Sequence, residues 1–351
     1  MKFILLTCAL LATPFVQATS SSEREAQDPI RAEKYFEGFV AVKKDREVYV
    51  RWTKAQAGQP TAILLNGLTY STRQWEDFAE VLAAQGFGVL RYDMFGMGET
   101  LLKHAPILSV ISHRDQVSDL NLLTRKLGLT GRLNLVGLSY GGGIALAYGA
   151  AYPNDVKNII VMAPFTRPLA EQDEWIKSQI WYTRRVQPFN PASDDELYDF
   201  YLRQVIYTTY PSVEPVVLEN PFKLEGVFRM VQGIRKWTSD EAVGLLPKAS
   251  VHLMIAGNDQ YIKRKVMEDF WASVPKERRA SMIVVNNSEH KMPESVPFFS
   301  ATWVGEILKK NPVLSSGREF DADPFAGSVR YEGGNLTFPR EREGRGTIGR
   351  N

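Results

Sequence analysis

A single cysteine, Cys8, occurs in 351 residues. That excludes an internal disulfide, a zinc–thiolate finger and a cysteine-ligated iron–sulfur cluster together. Charge of one sign is also lacking: 42 Lys and Arg stand against 40 Asp and Glu, a net +2. No field exists for a polyanion to follow, so nucleic-acid binding is disfavoured. Neither H-E-x-x-H nor G-x-x-x-x-G-K-[ST] occurs, so no metal and no nucleotide cofactor is expected. Histidine is scarce, with four residues, which narrows the choice of a proton-transferring base. What is present is ordinary for a globular protein: 44% hydrophobic and 23% charged residues. The length suits one large domain or two modest ones and needs no covalent staple.

The N-terminus is a targeting segment by pattern. Met1-Lys2 is a minimal basic start, residues 3–16 are almost wholly apolar, and Val16-Gln17-Ala18 has the small-x-small shape of a cleavage site. About 14 apolar residues are too few to span a bilayer, which takes about 20. Residues 1–18 therefore read as a signal peptide removed near Ala18, with 19–35 a linker. The mature protein is expected to be exported, periplasmic or secreted. Cys8 follows only about five apolar residues, too few for a lipoprotein signal core. No later stretch is apolar enough to form a transmembrane segment.

Two alternating segments, 36–42 and 47–52, flank a polar turn and read as an antiparallel hairpin at a sheet edge. Beyond them, short runs rich in Val, Ile and Leu (61–66, 86–92, 133–136, 158–163, 251–256, 282–285) alternate with amphipathic helical stretches. Such alternation means an α/β fold with a mostly parallel sheet covered by helices on both faces. The alternation breaks once, for about 85 residues that are rich in aromatics and too long for a plain loop. The expected organisation is thus a core in two parts, 36–165 and 251–311, with a helical subdomain at 166–250. Residues 312–351 are rich in Gly, Arg, Asp and Pro without periodicity, and read as a low-order tail.

The strongest chemical signal is Leu133-Asn134-Leu135-Val136-Gly137-Leu138-Ser139-Tyr140-Gly141-Gly142-Gly143. It reads as a strand, a G-x-S-x-G turn and a small-residue helix. A strand turning sharply into a helix brings the residues two before and two after its apex together, so Gly137 and Gly141 must be small. The apical Ser139 is then strained and projecting, a candidate nucleophile. Its base is His290 by position, on a loop (286–289) beyond the carboxyl end of the strand at 282–285. That edge of an open α/β sheet is where function collects. His104, His113 and His252 read as structural or solvated. The orienting acid is Asp259, past the glycine turn that ends another strand; a turn-forming role is its alternative reading. Ile63-Leu64-Leu65-Asn66-Gly67-Leu68 ends a strand in a sharp turn. That turn can aim the Leu68 N–H at the same point as the Tyr140 N–H, as an oxyanion hole. Asn-Gly as a plain turn signal also accounts for it.

These residues resemble the α/β-hydrolase superfamily, in the branch with a helical cap inserted after the sixth strand. The resemblance covers 36–311. It rests on Asn66-Gly67-Leu68, Asp93-Met94-Phe95-Gly96-Met97-Gly98-Glu99-Thr100, the 137–143 turn, and Gly257-Asn258-Asp259 followed by His290, in the family's order Ser, Asp, His. Family members usually carry His-Gly where this chain has Asn66-Gly67. The D-x-x-G-x-G-x-T block is similar to the loop that shapes the pocket mouth; on physical grounds Asp93, Gly96 and Gly98 are explained as a tight surface loop. A serine nucleophile argues against the family's epoxide hydrolases and haloalkane dehalogenases, which use aspartate.

The expected function is that of an exported serine esterase, acting on small or medium acyl esters or lysophospholipid-like substrates through a Ser-His-Asp acyl-enzyme. Tyr70, Trp75, Trp175 and Trp181 are candidate walls of an apolar substrate pocket, and Tyr140 is a further one. The partner is a small-molecule ester; the sequence is silent on oligomeric state. An alternative is a proline-iminopeptidase-like aminopeptidase or amidase, which wants an acidic group for a free amine: Glu171, Asp173, Glu174, Asp194, Asp195 and Glu196 are available. A non-catalytic binding scaffold is the third reading.

Overall fold

The computed structural model describes residues 33–129, 131–213, 220–248, 250–315 and 317–341. The expected signal peptide at 1–18, most of the expected linker at 19–35 and residues 342–351 lie outside the described residues. The compact unit begins at Tyr35. Its strands are β1 (Tyr35–Lys43), β2 (Arg46–Thr53), β3 (Thr61–Leu65), β4 (Gly88–Tyr92), β5 (Leu133–Leu138), β6 (Val156–Met162), β7 (Val251–Asn258), β8 (Arg279–Glu289), β9 (Arg318–Asp323), β10 (Ser328–Tyr331) and β11 (Gly334–Thr337). They form one sheet in the order β1-β2-β4-β3-β5-β6-β7-β8-β9-β10-β11. From β4 to β9 every neighbouring pair is parallel. The β1–β2 hairpin pairs antiparallel with β4 at one edge.

Burial follows sequence pattern. β4 and β5 are buried at every position, as strands covered on both faces must be. β2 instead alternates, with Val48, Val50 and Trp52 buried and their neighbours half-buried. The helices are α1 (Glu76–Ala84), α2 (Gly98–His104), α3 (His113–Lys126), α4 (Tyr140–Ala151), α5 (Ala170–Val186), α6 (Asp194–Val213), α7 (Lys223–Ile234), α8 (Asp240–Val243), α9 (Arg264–Ser273), α10 (Met292–Ser295) and α11 (Pro297–Leu308). Those of the α/β framework cover both faces of the sheet, α1 packing on α11 and α3 on α4. α3 starts where Ser112 and Asp115 form a reciprocal capping box. Helices α5, α6 and α7 share a small apolar core of Ile176, Leu202, Ile206, Val227 and Phe228. Among the described residues no helix is long and apolar enough to cross a membrane.

Two expectations are corrected. Residues 286–289 are not a loop: β8 runs on through Glu289, its register shifted by an irregularity against β7 and with Asn287 at positive φ. His290 thus follows directly on a strand. The tail is not of low order up to Glu341. After a turn at Pro312–Ser315, β9 pairs parallel with β8, and β10 and β11 complete an antiparallel edge. Phe320, Ala322, Val329 and Phe338 are buried there, with the rings of Phe320 and Phe338 5.1 and 5.4 Å from Trp303 on α11. The residues that suggested disorder make the turns between strands: Asp323 accepts from the N–H groups of Phe325 and Ala326, and Gly327 and Gly333 have positive φ.

Candidate active site

The parallel strands β3, β5, β6, β7 and β8 lie side by side, so their carboxyl ends share one rim. Ser139 leaves β5 with φ 51° and ψ −115°, a strained conformation for a residue bearing a Cβ. Its surroundings hold it there. Its N–H donates to the Met162 carbonyl at 2.9 Å, and its carbonyl accepts from Phe165 N–H at 2.8 Å. A Cβ on Gly137 would fall 2.4 Å from the Gly141 carbonyl oxygen, and one on Gly141 2.2 Å from that of Leu65. No side chain fits either position.

The Asn66-Gly67-Leu68 turn packs beside this apex: a Cβ on Gly67 would lie 3.7 Å from that of Ser139. Leu68 lines the pocket that holds Ser139. Tyr140 opens α4, and the first N–H groups of a helix have no intrahelical partner. Asn66 is fully buried and pinned on both sides. Its amide nitrogen donates to the Tyr92 carbonyl at 3.2 Å, and its oxygen accepts the Trp75 indole N–H at 2.9 Å.

Asp93, also fully buried, braces the same turn from behind. Oδ1 accepts from Thr72 N–H at 2.6 Å and from Asn66 Nδ2 at 3.4 Å; Oδ2 accepts from Glu99 N–H at 2.9 Å. Burial pushes its carboxyl up to about 6 despite these donors. Gly98 is at φ 48°, where a Cβ would sit 2.2 Å from that carboxylate. The D-x-x-G-x-G-x-T block is therefore no mere surface loop, but the support of the turn beside Ser139. Aspartate among glycines carries the same signal in both cases, so the sequence did not separate them.

At the other end of the rim, His290 Nδ1 and Asp259 Oδ2 are 2.8 Å apart, with side chains 10% and 2% exposed. The second carboxylate oxygen accepts from the N–H groups of Tyr261 and Ile262, both at 2.8 Å. The Tyr261 ring stands edge-on to the imidazole, centroids 5.0 Å apart. His290 and Ser139 line one pocket with Gly67 and Leu68. Of the four histidines it is the one there. His252 is buried in β7, bonded to Ser281 Oγ at 2.8 Å, and desolvation holds its pKa down at about 3. His104 contacts the Glu47 backbone, and His113 lies near Trp237.

The proposed pocket walls divide. Tyr70 lines the pocket, its hydroxyl donating to Glu294 at 2.9 Å. Trp75 does not: it is wholly buried beside Phe78 and serves to hold Asn66. Trp181 is 63% exposed on α5, under the Arg185 guanidinium and outside the pocket. Trp175 lines a neighbouring groove instead. Tyr140 is buried, away from the lining. The sequence reading missed Phe165, Tyr198, Leu202, Val231, Ile234 and Tyr261, which form much of the wall. Of the acidic candidates, Asp173 reaches the pocket, already paired with Lys177 at 2.5 Å and with the Tyr198 hydroxyl at 3.0 Å. Arg235, also in the wall, pairs with Asp195 at 3.0 Å and stacks over Tyr198. Among the described residues no cluster suits a metal ion.

A hydroxyl on a strained turn and an imidazole held by a buried carboxylate are parts suited to acyl transfer. The family described as serine aminopeptidase, S33, matches residues 58–294. The chain belongs to this family of α/β-hydrolases. The proline iminopeptidase of Clostridioides difficile (strain 630) is 26% identical over 167 residues, 47% of this chain and 54% of that protein. The chain thus matches about half the length of that relative. Among solved structures, a thermophilic esterase from Thermogutta terrifontis is similar with TM-score 0.56 and 21% identity, covering 79% of this chain and 99% of that one. The enol-lactonase from Burkholderia xenovorans LB400 is similar with TM-score 0.55 and 17% identity, over 78% and 100%. At such identities these neighbours speak for the shared α/β-hydrolase fold.

Proposed function

We propose that this protein is an exported serine hydrolase of carboxylic esters, working through an acyl-enzyme on Ser139. The observation that carries the reading is the shared pocket of Ser139 and His290, with His290 bonded to a buried Asp259. Ser139 Oγ attacks the ester carbonyl carbon while His290 Nε2 takes its proton. The N–H groups of Leu68 and Tyr140 receive the oxyanion. As the tetrahedral intermediate collapses, the bond to the leaving oxygen breaks and that oxygen takes the proton from His290. Water, deprotonated by His290, then releases the acid and restores Ser139. Asp259 holds the imidazole with Nδ1 protonated and stabilises its charged form.

An aminopeptidase reading draws on the iminopeptidase relative and on Asp173 in the pocket. Against it, Asp173 is already satisfied by Lys177 and Tyr198. A hydrolysis screen of p-nitrophenyl esters beside proline and other aminoacyl arylamides, with Ser139→Ala as control, tests both. Ester turnover lost in Ser139→Ala is expected; arylamide turnover without ester turnover would reverse the preference. Export through residues 1–18 is part of the proposal, supported by the pattern of that segment. N-terminal sequencing of the mature protein should begin at Thr19.

A further inference from the structure

The Ser139 pocket is small. Its volume is ≈ 120 Å³, below the roughly 300–1,000 Å³ of most small-molecule sites. A groove of ≈ 920 Å³ lies beside it. The two share Pro168, Leu169, Gln172, Tyr261 and Ile262 as a common wall. The groove runs from that wall past Trp175 to Val205 and Thr208 of α6 and Val266 of α9. Trp175 is 43% exposed, a large apolar surface left open to water.

Resting on the esterase reading, we propose that this groove binds the leaving alcohol of the substrate, and that the alcohol is uncharged and apolar. Direction follows from chemistry. The oxygen that leaves must take its proton from the imidazole, so the alcohol lies on the His290 side of the scissile bond. Tyr261, in edge contact with His290, is also the wall shared with the groove. The acyl group is left the small pocket lined by Leu202, Val231 and Ile234. Charge selects the alcohol. The groove's ionic side chains face opposite partners: Glu171 is bonded to Lys263, and Arg167 lies 3.7 Å from Asp269. A charged headgroup meets ionic side chains that already have partners and gains little from them, whereas an alkyl or aryl alcohol covers Trp175 and gains by leaving water.

The test uses two ester series on the full-length protein, acetates of ethyl to octyl alcohol and ethyl esters of acetic to octanoic acid. KM for the acetates is expected to fall about tenfold from ethyl to octyl alcohol, and free octanol should inhibit ethyl acetate turnover competitively. Trp175→Ala should raise the octyl acetate KM by about the same factor, and the ethyl acetate KM by less. Trp181→Ala, on the same helix but outside the groove, should change neither. Turnover with a flat alcohol series, or a Trp175→Ala effect confined to the acyl series, would overturn the groove assignment alone. No turnover of any ester would overturn the esterase reading and the assignment with it.

Discussion

The sheet rim and the helical insertion above it are built to different tolerances. At the rim the key groups are fixed by directional hydrogen bonds: Ser139 through the backbone of Met162 and Phe165, Asp259 through two amides, and Asn66 through the Tyr92 carbonyl and the Trp75 indole. In the insertion, ion pairs lie near the surface. Arg184 bonds to Asp194 at 2.7 Å, and Arg203 to Glu225 at 2.5 Å, around a core of five well-buried residues. Exposed pairs contribute about 1 kcal/mol or less each. Phe189 and Phe200 stand in water. Reacting groups must be held to a fraction of an ångström, whereas a wall that sorts apolar substrates tolerates looser packing.

Substitutions at the rim should therefore cost far more than those in the insertion. The largest expected effect is on turnover: Asp259→Asn should lower ester kcat by about 10³–10⁴, through loss of the correct imidazole tautomer. Stopped assays with purified protein read this directly, and undiminished turnover would remove Asp259 from the mechanism. Next, Gly141→Ala must push a methyl against the Leu65 carbonyl. It should destabilise the fold by about 3 kcal/mol in urea unfolding, with activity falling even where the variant folds. A wild-type midpoint would mean that the turn at Ser139 is not clamped.

The buried carboxyl of Asp93 gives the rim a pH signature. Raised to about 6 from 3.8 by burial, it binds a proton in the folded state between about pH 4 and 6, where the unfolded chain has lost it. Stability from this group is thus greatest below pH 4, falls as pH rises through that window by about 3 kcal/mol, and stays low above it. In Asp93→Asn this slope should vanish, so the variant gains on the wild type from pH 4 to 6.5 whatever its offset. Equal slopes in urea titrations would contradict the assignment. The smallest effect is expected at Trp181, where alanine should change ester kcat/KM by less than about twofold; a larger change would give the insertion a tighter role.

The same contrast governs what is legible in the amino-acid sequence. The turn at Ser139 was legible because its glycines are demanded by local geometry, and a local demand leaves a local pattern. The strand ends bearing Asp259 and His290 were legible from period alone, although β8 extends four residues beyond its apolar run because Asn287 accepts a positive φ. The aromatics were not legible. Trp75 in the core, Trp175 in the groove and Trp181 in solvent all sit on helical stretches, and tertiary packing alone separates them. β9, β10 and β11 were missed because strands of four to six residues rich in Arg, Asp and Gly offer little periodicity. Their stability comes from Trp303 and from pairing with β8.

The most direct measurement is adduct mapping by peptide mass spectrometry after exposure to a fluorophosphonate. A single stoichiometric adduct on the peptide containing Ser139 is expected, slowed strongly by His290→Ala and absent in Ser139→Ala. An adduct on another residue, or equal labelling of Ser139→Ala, would contradict a nucleophile at position 139.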